Sequence, residues 1–271
     1  MTNSNQTVSI ICVYNNREQL DDMLVKSLIN INIGGMLHLI NCKKKTKGGG
    51  GGVKKLFIDN ISNNYPSCAN AYNTELRKHR NELGEILIFL HQDIAFDDNI
   101  WLERIVRELA DNPNQILGFA GMPKAGRTIS NMRYLKTKQL ITRTQLKEKT
   151  EVESLDECCF AMTKKIYNKV RFDEETCSHW HLYAVDFCYE ARRKIELKSY
   201  VIPELIYHKY DGTSGLSTDL HFLKTLWKIT KKYRKNYSFI FTPCYIISTS
   251  PVKALAKLTK SAIKNRTKQA N

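Results

Sequence analysis

The sequence predicts an α/β fold, a mainly parallel mixed sheet flanked by helices, with a basic helical C-terminal extension. Three observations carry that expectation. Residues 86–90, Ile-Leu-Ile-Phe-Leu, form an unbroken apolar run, which suits a strand covered by helices on both faces. Strand-like and helix-like patterns alternate from residue 8 to about residue 120, as layered α/β domains require. The basic charge, finally, is concentrated at the end of the chain. Of a net charge of +15, residues 220–271 hold twelve Lys or Arg and no acidic residue, which leaves 30 basic against 27 acidic side chains before them.

The elements follow in order. Residues 8–13 are β-branched and apolar and end at Tyr14-Asn15-Asn16, a strand and a polar turn. Leu20, Met23, Leu24 and Leu28 recur at helical spacing. Residues 36–42 read as a possible strand. The lysines of 43–47 and the five glycines Gly48 to Gly52 read as a mobile loop over 43–53, since each glycine loses maximal backbone entropy on ordering. A phosphate-cradling GxxxxGK[ST] loop is not present there. Residues 54–58 form a strand ending at Asp59-Asn60, and residues 67–83 have a helical pattern. The run 86–90 then stops at His91-Gln92-Asp93. Asp98 suits the cap of a helix from Asn99 to about Asp111, whereas Asp93 lies too far upstream to cap it. Residues 116–120 read as a strand and 124–150 as a basic, irregular, mobile loop over the site. Residues 154–162 restore an apolar segment, 185–195 look helical, and 200–207 look like a last strand. Residues 1–218 therefore read as one α/β domain and 219–271 as a basic amphipathic extension.

Three strand ends are polar: Tyr14-Asn15, Asp59-Asn60 and His91-Gln92-Asp93. In a parallel arrangement they share one edge of the sheet, the edge at which open α/β sheets bind ligands. A carboxylate and an amide beside one strand suit a ribose or base, and a carboxylate at the next suits a cation held through hard oxygen ligands. No GxGxxG follows the first strand, which argues against a dinucleotide-binding enzyme.

At this point the chain resembles the family 2 glycosyltransferases of the GT-A fold, in particular bacterial members with HQD in place of DxD. The resemblance spans about residues 8–215. It rests on Tyr14-Asn15, Asp59-Asn60, Ala71-Tyr72-Asn73, the run from Gly84 to Asp93, Phe172-Asp173-Glu174, the segment from Trp180 to Asp186, and His208. It implies donor contacts from Tyr14, Asn15, Asp59, Asn60, His91 and Gln92. It further implies Mn2+ or Mg2+ on Asp93, with His208 approaching the same metal or the phosphates, while Trp180 suits either the core or a stacking face for an acceptor sugar. A cation stabilises the diphosphate that leaves, while a carboxylate deprotonates the acceptor in inverting members. The family's usual base position falls here on Ala184, so Asp186, Asp156, Glu157 and His181 are the candidates. Asp186 equally suits a helix cap.

The resemblance points to transfer of a sugar from a nucleotide donor to a glycan, lipid-linked, in bacterial surface polysaccharide synthesis. A nucleotidyltransferase would need a triphosphate loop that the sequence lacks near strand one. A degenerate fold acting as a membrane-binding module is the other alternative, which Ala184 favours and Asp93 opposes. No run reaches the roughly 18 apolar residues of a spanning helix, and the first seven residues do not suggest a signal peptide. Eight cysteines without CxxC spacing suit reduced, mostly buried thiols of a cytoplasmic protein. The basic extension, with Leu255, Leu258 and Ala262 at helical spacing, suits peripheral docking on the anionic inner face of the cell membrane. No nucleic-acid-binding motif competes for it.

Overall fold

The structure is a computed structural model that describes residues 7–28, 37–38, 53–143, 145–209 and 219–269, with the backbone alone described at 37–38 and 264–269. The loop predicted at 43–53 lies outside the described residues except for Val53, which opens a strand.

The chain begins with β1 (Val8–Tyr14), helix α1 over residues 17–28, β2 (Leu37–His38), β3 (Val53–Asp59), α2 (Cys68–Lys78) and β4 (Ile86–Leu90). Next come β5 (Ile94–Ala95), α3 (Ile100–Asp111), β6 (Gln115–Gly118), β7 (Ala120–Met122), β8 (Ile129–Ser130) and β9 (Arg133–Tyr134). β10 (Thr150–Val152), β11 (Ser154–Leu155), β12 (Cys159–Thr163), α4 (Lys164–Lys169), α5 (Tyr183–Ile195), β13 (Lys198–Val201) and β14 (Tyr207–His208) follow. The chain ends in α6 (Leu220–Tyr233), β15 (Phe239–Phe241), β16 (Ile246–Ser248) and α7 (Pro251–Gln269).

Eight strands form one mixed sheet in the order β10-β13-β6-β12-β4-β1-β3-β2. β4, β1, β3 and β2 run parallel, whereas β12 is antiparallel to both β4 and β6. Alternation along the central strands sends Ile10, Ile86 and Ile88 to one face, with Leu20 and Leu24 of α1 and Trp101 and Ile105 of α3. Ile11, Leu87 and Phe89 go to the other, with Tyr72 and Leu76 of α2 and Tyr183 and Phe187 of α5. Each such fully buried side chain contributes roughly 1.5–3 kcal/mol. Gly84 lets β4 start where it does, because a Cβ there would lie 2.5 Å from the Thr7 carbonyl oxygen. Asp98 accepts from Ile100 N at 2.9 Å, as its place before α3 predicted.

Two expectations give way. The last strand is not continuous. β13 belongs to the main sheet, β14 joins a small sheet with β5 and β9, and Pro203, which has no N–H, lies in the stretch between them. Residues 124–150 carry β8 and β9 and are tied to the body, since the Asn131 amide donates to the carbonyls of Leu146 and Pro203. The extension packs against the body. Phe222, Leu226, Ile229 and Tyr233 of α6 share a core with Leu182, Val185 and Tyr189, and Ala254 and Leu258 of α7 close it.

A buried ionic cluster fastens this region. Lys232 Nζ lies 2.9 Å from both oxygens of Asp186, 2.8 Å from Asp173 and 3.7 Å from Glu190, and Tyr233 donates to Asp186 at 2.9 Å. Burial pushes the carboxyls of Asp173 and Glu190 up, but their partners outweigh it. Hydrogen bonds from Lys232 and Thr176 hold Asp173 at about 2, and Arg193 and Lys194 hold Glu190 at about 2. Both values lie below the ordinary carboxylate range, so this stability is present above about pH 4 and is lost as pH falls toward 2. Lys232→Met should cost about 3–5 kcal/mol in urea unfolding near neutral pH, because it strands Asp186. It should also flatten the acid limb of stability against pH. A loss below about 1 kcal/mol would show that the cluster does not anchor α6.

Candidate functional site

The parallel register brings the polar strand ends together. Tyr14 pairs directly with Asp59 across β1 and β3, and β4 ends beside β1. At this edge opens a cleft of about 220 Å3 lined by Tyr14, Asn15, Asn60, Cys68, Tyr72, His91, Gln92, Asp93, Trp180 and Tyr183, with Val13. Its place outside the carboxyl ends of the strands is the one expected of a ligand site in such a sheet.

Asp93 lines the cleft and stands between two imidazoles. His91 Nδ1 lies 3.9 Å from Asp93 Oδ1 and His208 Nε2 lies 3.5 Å from Asp93 Oδ2. One nitrogen or oxygen from each of the three falls within 4.8 Å of the others, the only such trio of His, Cys, Asp or Glu among the described residues. The pairing of β14 with β5 puts His208 opposite Ile94, and Lys209 N donates to the Asp93 carbonyl at 3.0 Å. Asp93 Oδ1 is shielded from solvent and accepts no hydrogen bond, an arrangement that costs about 1–3 kcal/mol for a group with nothing to bind. Burial lowers the His91 pKa, against the pull of Asp93, so the ring is neutral near pH 7 and its lone pair is available. A carboxylate and two imidazoles fit a divalent cation.

The remaining predicted donor residues divide. Tyr14 donates to Asp59 Oδ2 at 3.0 Å, which fixes a phenol and a carboxylate side by side. Asn60 is buried and spends its Oδ1 on Tyr65 N. Gln92 is a clamp. Its Oε1 accepts from Asn15 N and Asn16 N at 3.0 and 3.1 Å, and its Nε2 donates to Asn15 Oδ1 at 2.7 Å.

The candidate bases are scattered. Asp186, expected as base or cap, lies one turn inside α5, is 1% exposed and is bound to Lys232. Asp156 Oδ1 accepts from Cys158 N at 2.9 Å. Burial and neighbouring Asp156 push Glu157 well above the carboxylate range, although the amides of Leu182 and Tyr183 oppose this. His181 makes a 2.8 Å contact to Asp219 through Nε2. Trp180 lines the cleft and is 38% exposed, in keeping with a face offered to a ligand. Ala184 is buried with Phe160 and Phe172, so a carboxylate at that position would be buried among aromatic rings.

Sequence reasoning left Tyr183, Lys232 and Asp219 without roles. The Tyr183 hydroxyl meets His91 Nε2 at 3.1 Å, and its ring packs against Tyr72. Tyr183 stood within the recognised segment from Trp180 to Asp186. Nothing in local spacing marks Lys232 or Asp219.

A mixed sheet with helices on both faces and a polar cleft at its carboxyl edge defines a GT-A-like fold. The chain belongs to the family described as "Glycosyltransferase like family", which it matches over residues 55–207. Among solved structures it is similar to the mannosyltransferase PcManGT from Pyrobaculum calidifontis in complex with GDP-Man and Mn2+, at 11% identity and TM-score 0.54, covering 98% of this chain and 75% of that one. It is also similar to GalNAc-T7 with UDP, GalNAc and Mn2+, at 12% identity and TM-score 0.51, covering 96% of this chain. The match spans only 55% of GalNAc-T7. No curated protein matches the sequence.

Replacing Gln92 with Ala should remove the three bonds that tie the ends of β1 and β4 and cost about 1–3 kcal/mol in thermal or urea unfolding. An unchanged midpoint would return Gln92 to a role in binding alone.

Proposed function

We propose that this chain is a metal-dependent glycosyltransferase that moves a sugar from a nucleoside-diphosphate donor to a glycan acceptor. The observation that carries this reading is Asp93 Oδ1, buried without a hydrogen bond between His91 and His208, on a residue that lines the cleft. Family membership supports it, as do the Mn2+ complexes of GalNAc-T7 with UDP and GalNAc and of PcManGT with GDP-Man.

Asp93, His91 and His208 would hold the cation, and two nitrogen ligands would favour Mn2+ over Mg2+, which prefers oxygen. When bound, it supplies Lewis-acid neutralisation of the charge that develops on the leaving diphosphate. Tyr14, Asn15 and Asp59 face the nucleoside, with Asp59 kept in place by Tyr14 and by Ile61 N. Tyr183 orients His91, and Gln92 holds the first loop against the end of β4. Trp180 offers a ring face to the acceptor sugar. The reaction is a single inverting displacement.

The acceptor is a lipid-linked glycan of bacterial surface polysaccharide, met on the inner face of the cell membrane. The sequence resemblance and the shape of α7 support this. Ala254 and Leu258 of α7 face the core, while Val252, Leu255, Ala256, Thr259 and Ile263 form a second stripe. Val252, Leu255 and Ile263 on that stripe are exposed. Leu255, expected on the same face as Leu258, belongs to the outer stripe. Lys253, Lys257 and Lys260 accompany it, the composition of an interfacial helix. No helix among the described residues is long and apolar enough to cross a membrane.

Two outcomes follow. Asp93→Ala should keep the fold, lose the rise in melting temperature that Mn2+ with UDP or GDP gives the parent, and lower transfer at least about 100-fold. Full Mn2+-dependent turnover in that variant would remove the site. The double variant Val252→Ser, Leu255→Ser should co-sediment less with anionic vesicles than the parent, and salt should weaken the parent's binding. Equal sedimentation of both proteins would sink the docking surface.

A further inference from the structure

The glycosyltransferase reading requires a group that accepts the proton of the attacking hydroxyl, and the carboxylates near the cleft are engaged elsewhere. Asp186 is committed to Lys232 and Tyr233. Glu157 is buried and shifted toward its neutral form, in which it cannot accept a proton. Asp156 holds Cys158 N.

We propose that His181, oriented by Asp219, is the base that takes the proton of the acceptor hydroxyl, an assignment that rests on the transferase function above. Its place in the fold comes from Leu182, whose φ of 65° puts a left-handed residue at the start of α5. On either side of the resulting bend, Trp180 and Tyr183 both line the cleft. His181 follows Trp180 at the rim, outside the residues that line the cleft, and is near enough to His91 for the two rings to interact electrostatically.

The imidazole is held from two directions. Nε2 lies 2.8 Å from Asp219 Oδ2, and the Phe222 ring packs edge-on with its centroid 5.9 Å away. Asp219 is itself fixed, because its Oδ1 accepts from His221 N at 2.8 Å where it caps α6. Burial raises the Asp219 carboxyl, but the His221 amide and His181 outweigh it and keep it ionised. An ionised carboxylate at Nε2 fixes the proton on that nitrogen and leaves the lone pair on Nδ1, the tautomer of a base in a His–carboxylate dyad. The side chain retains 21% exposure, enough for an acceptor to reach.

The step balances. The acceptor O–H bond breaks and its proton goes to Nδ1. The oxygen forms a bond to the anomeric carbon, and the bond from that carbon to the diphosphate breaks with its electron pair leaving on phosphate. Asp219 stabilises the imidazolium that results. Asp219 interacts electrostatically with His221 and His179, whose rings lie 3.1 Å apart, and His181 does so with His91.

The test uses the full chain with Mn2+, a panel of UDP- and GDP-hexoses, and p-nitrophenyl glycosides as acceptors. His181→Asn should lower kcat for transfer at least about 100-fold, keep the affinity for Mn2+ with UDP or GDP within about twofold, and abolish the acid limb of the pH–rate profile. Asp219→Asn should lower the rate and move that limb to lower pH, since the imidazolium loses its counter-charge, and Asp219→Glu should restore part of both. Transfer by His181→Asn within about twofold of the parent, or parallel loss of nucleotide affinity and melting temperature, would overturn the assignment and leave the transferase reading standing. A parent silent across the whole panel and unresponsive to Mn2+ with UDP or GDP would overturn both.

Discussion

Two strands of two residues each, Ile94–Ala95 and Tyr207–His208, hold the His208 ring against Asp93. The main sheet alone delivers His91 and Asp93, which leave the end of β4 in sequence and need no long-range contact. His208 arrives only because the chain departs from the main sheet after Val201, passes Pro203 and pairs again beside the cleft. That second pairing is supported from its other side by β9, whose Arg133 and Tyr134 lie in register with Tyr207 and His208. A short strand contributes little stability by itself, so the three small strands hold one another in place. The buried oxygen of Asp93 belongs to this arrangement, where two imidazoles stand beside the carboxylate.

The layers of the fold were readable in the sequence because they depend on local periodicity. The apolar run of β4 is buried on both faces, and the spacing of Leu20, Leu24 and Leu28 and of Tyr72 and Leu76 sets the faces of α1 and α2. The convergence of Tyr14, Asp59 and Asp93 followed from parallel pairing. What escaped depends on contacts between distant positions. Asp186 in isolation reads as a helix cap or a base, and only Lys232, a full helix and several loops later, turns it into half of a buried ion pair. Charge composition likewise counts Lys232 as part of a basic tail, although it points inward. Asp219 reads as the first residue of the basic extension until the fold brings it to His181.

Ala184 illustrates the difference between a motif and a site. As a pattern, the missing carboxylate at that place suggests a fold that has lost its chemistry. In the structure, Ala184 packs among Phe160, Phe172 and Phe187, and a charged group there would need a partner that the aromatic cluster does not offer. The question is therefore not whether a side chain was lost at one position. It is which polar group the bend at Leu182 exposes to the cleft.

That bend ties the cleft to the order in which the chain is made. Leu182 holds its left-handed backbone with its side chain buried at 4% exposure, against Phe222, Leu223 and the rest of the α6 core. During synthesis, α6 leaves the ribosome after every residue that lines the cleft. Until it does, Asp186 and Glu190 face each other without Lys232, Leu182 has no pocket, and His181 has no carboxylate beside it. The nascent chain can thus complete its sheet before the support behind the bend has formed, and a truncated product would carry the strand ends without the dyad.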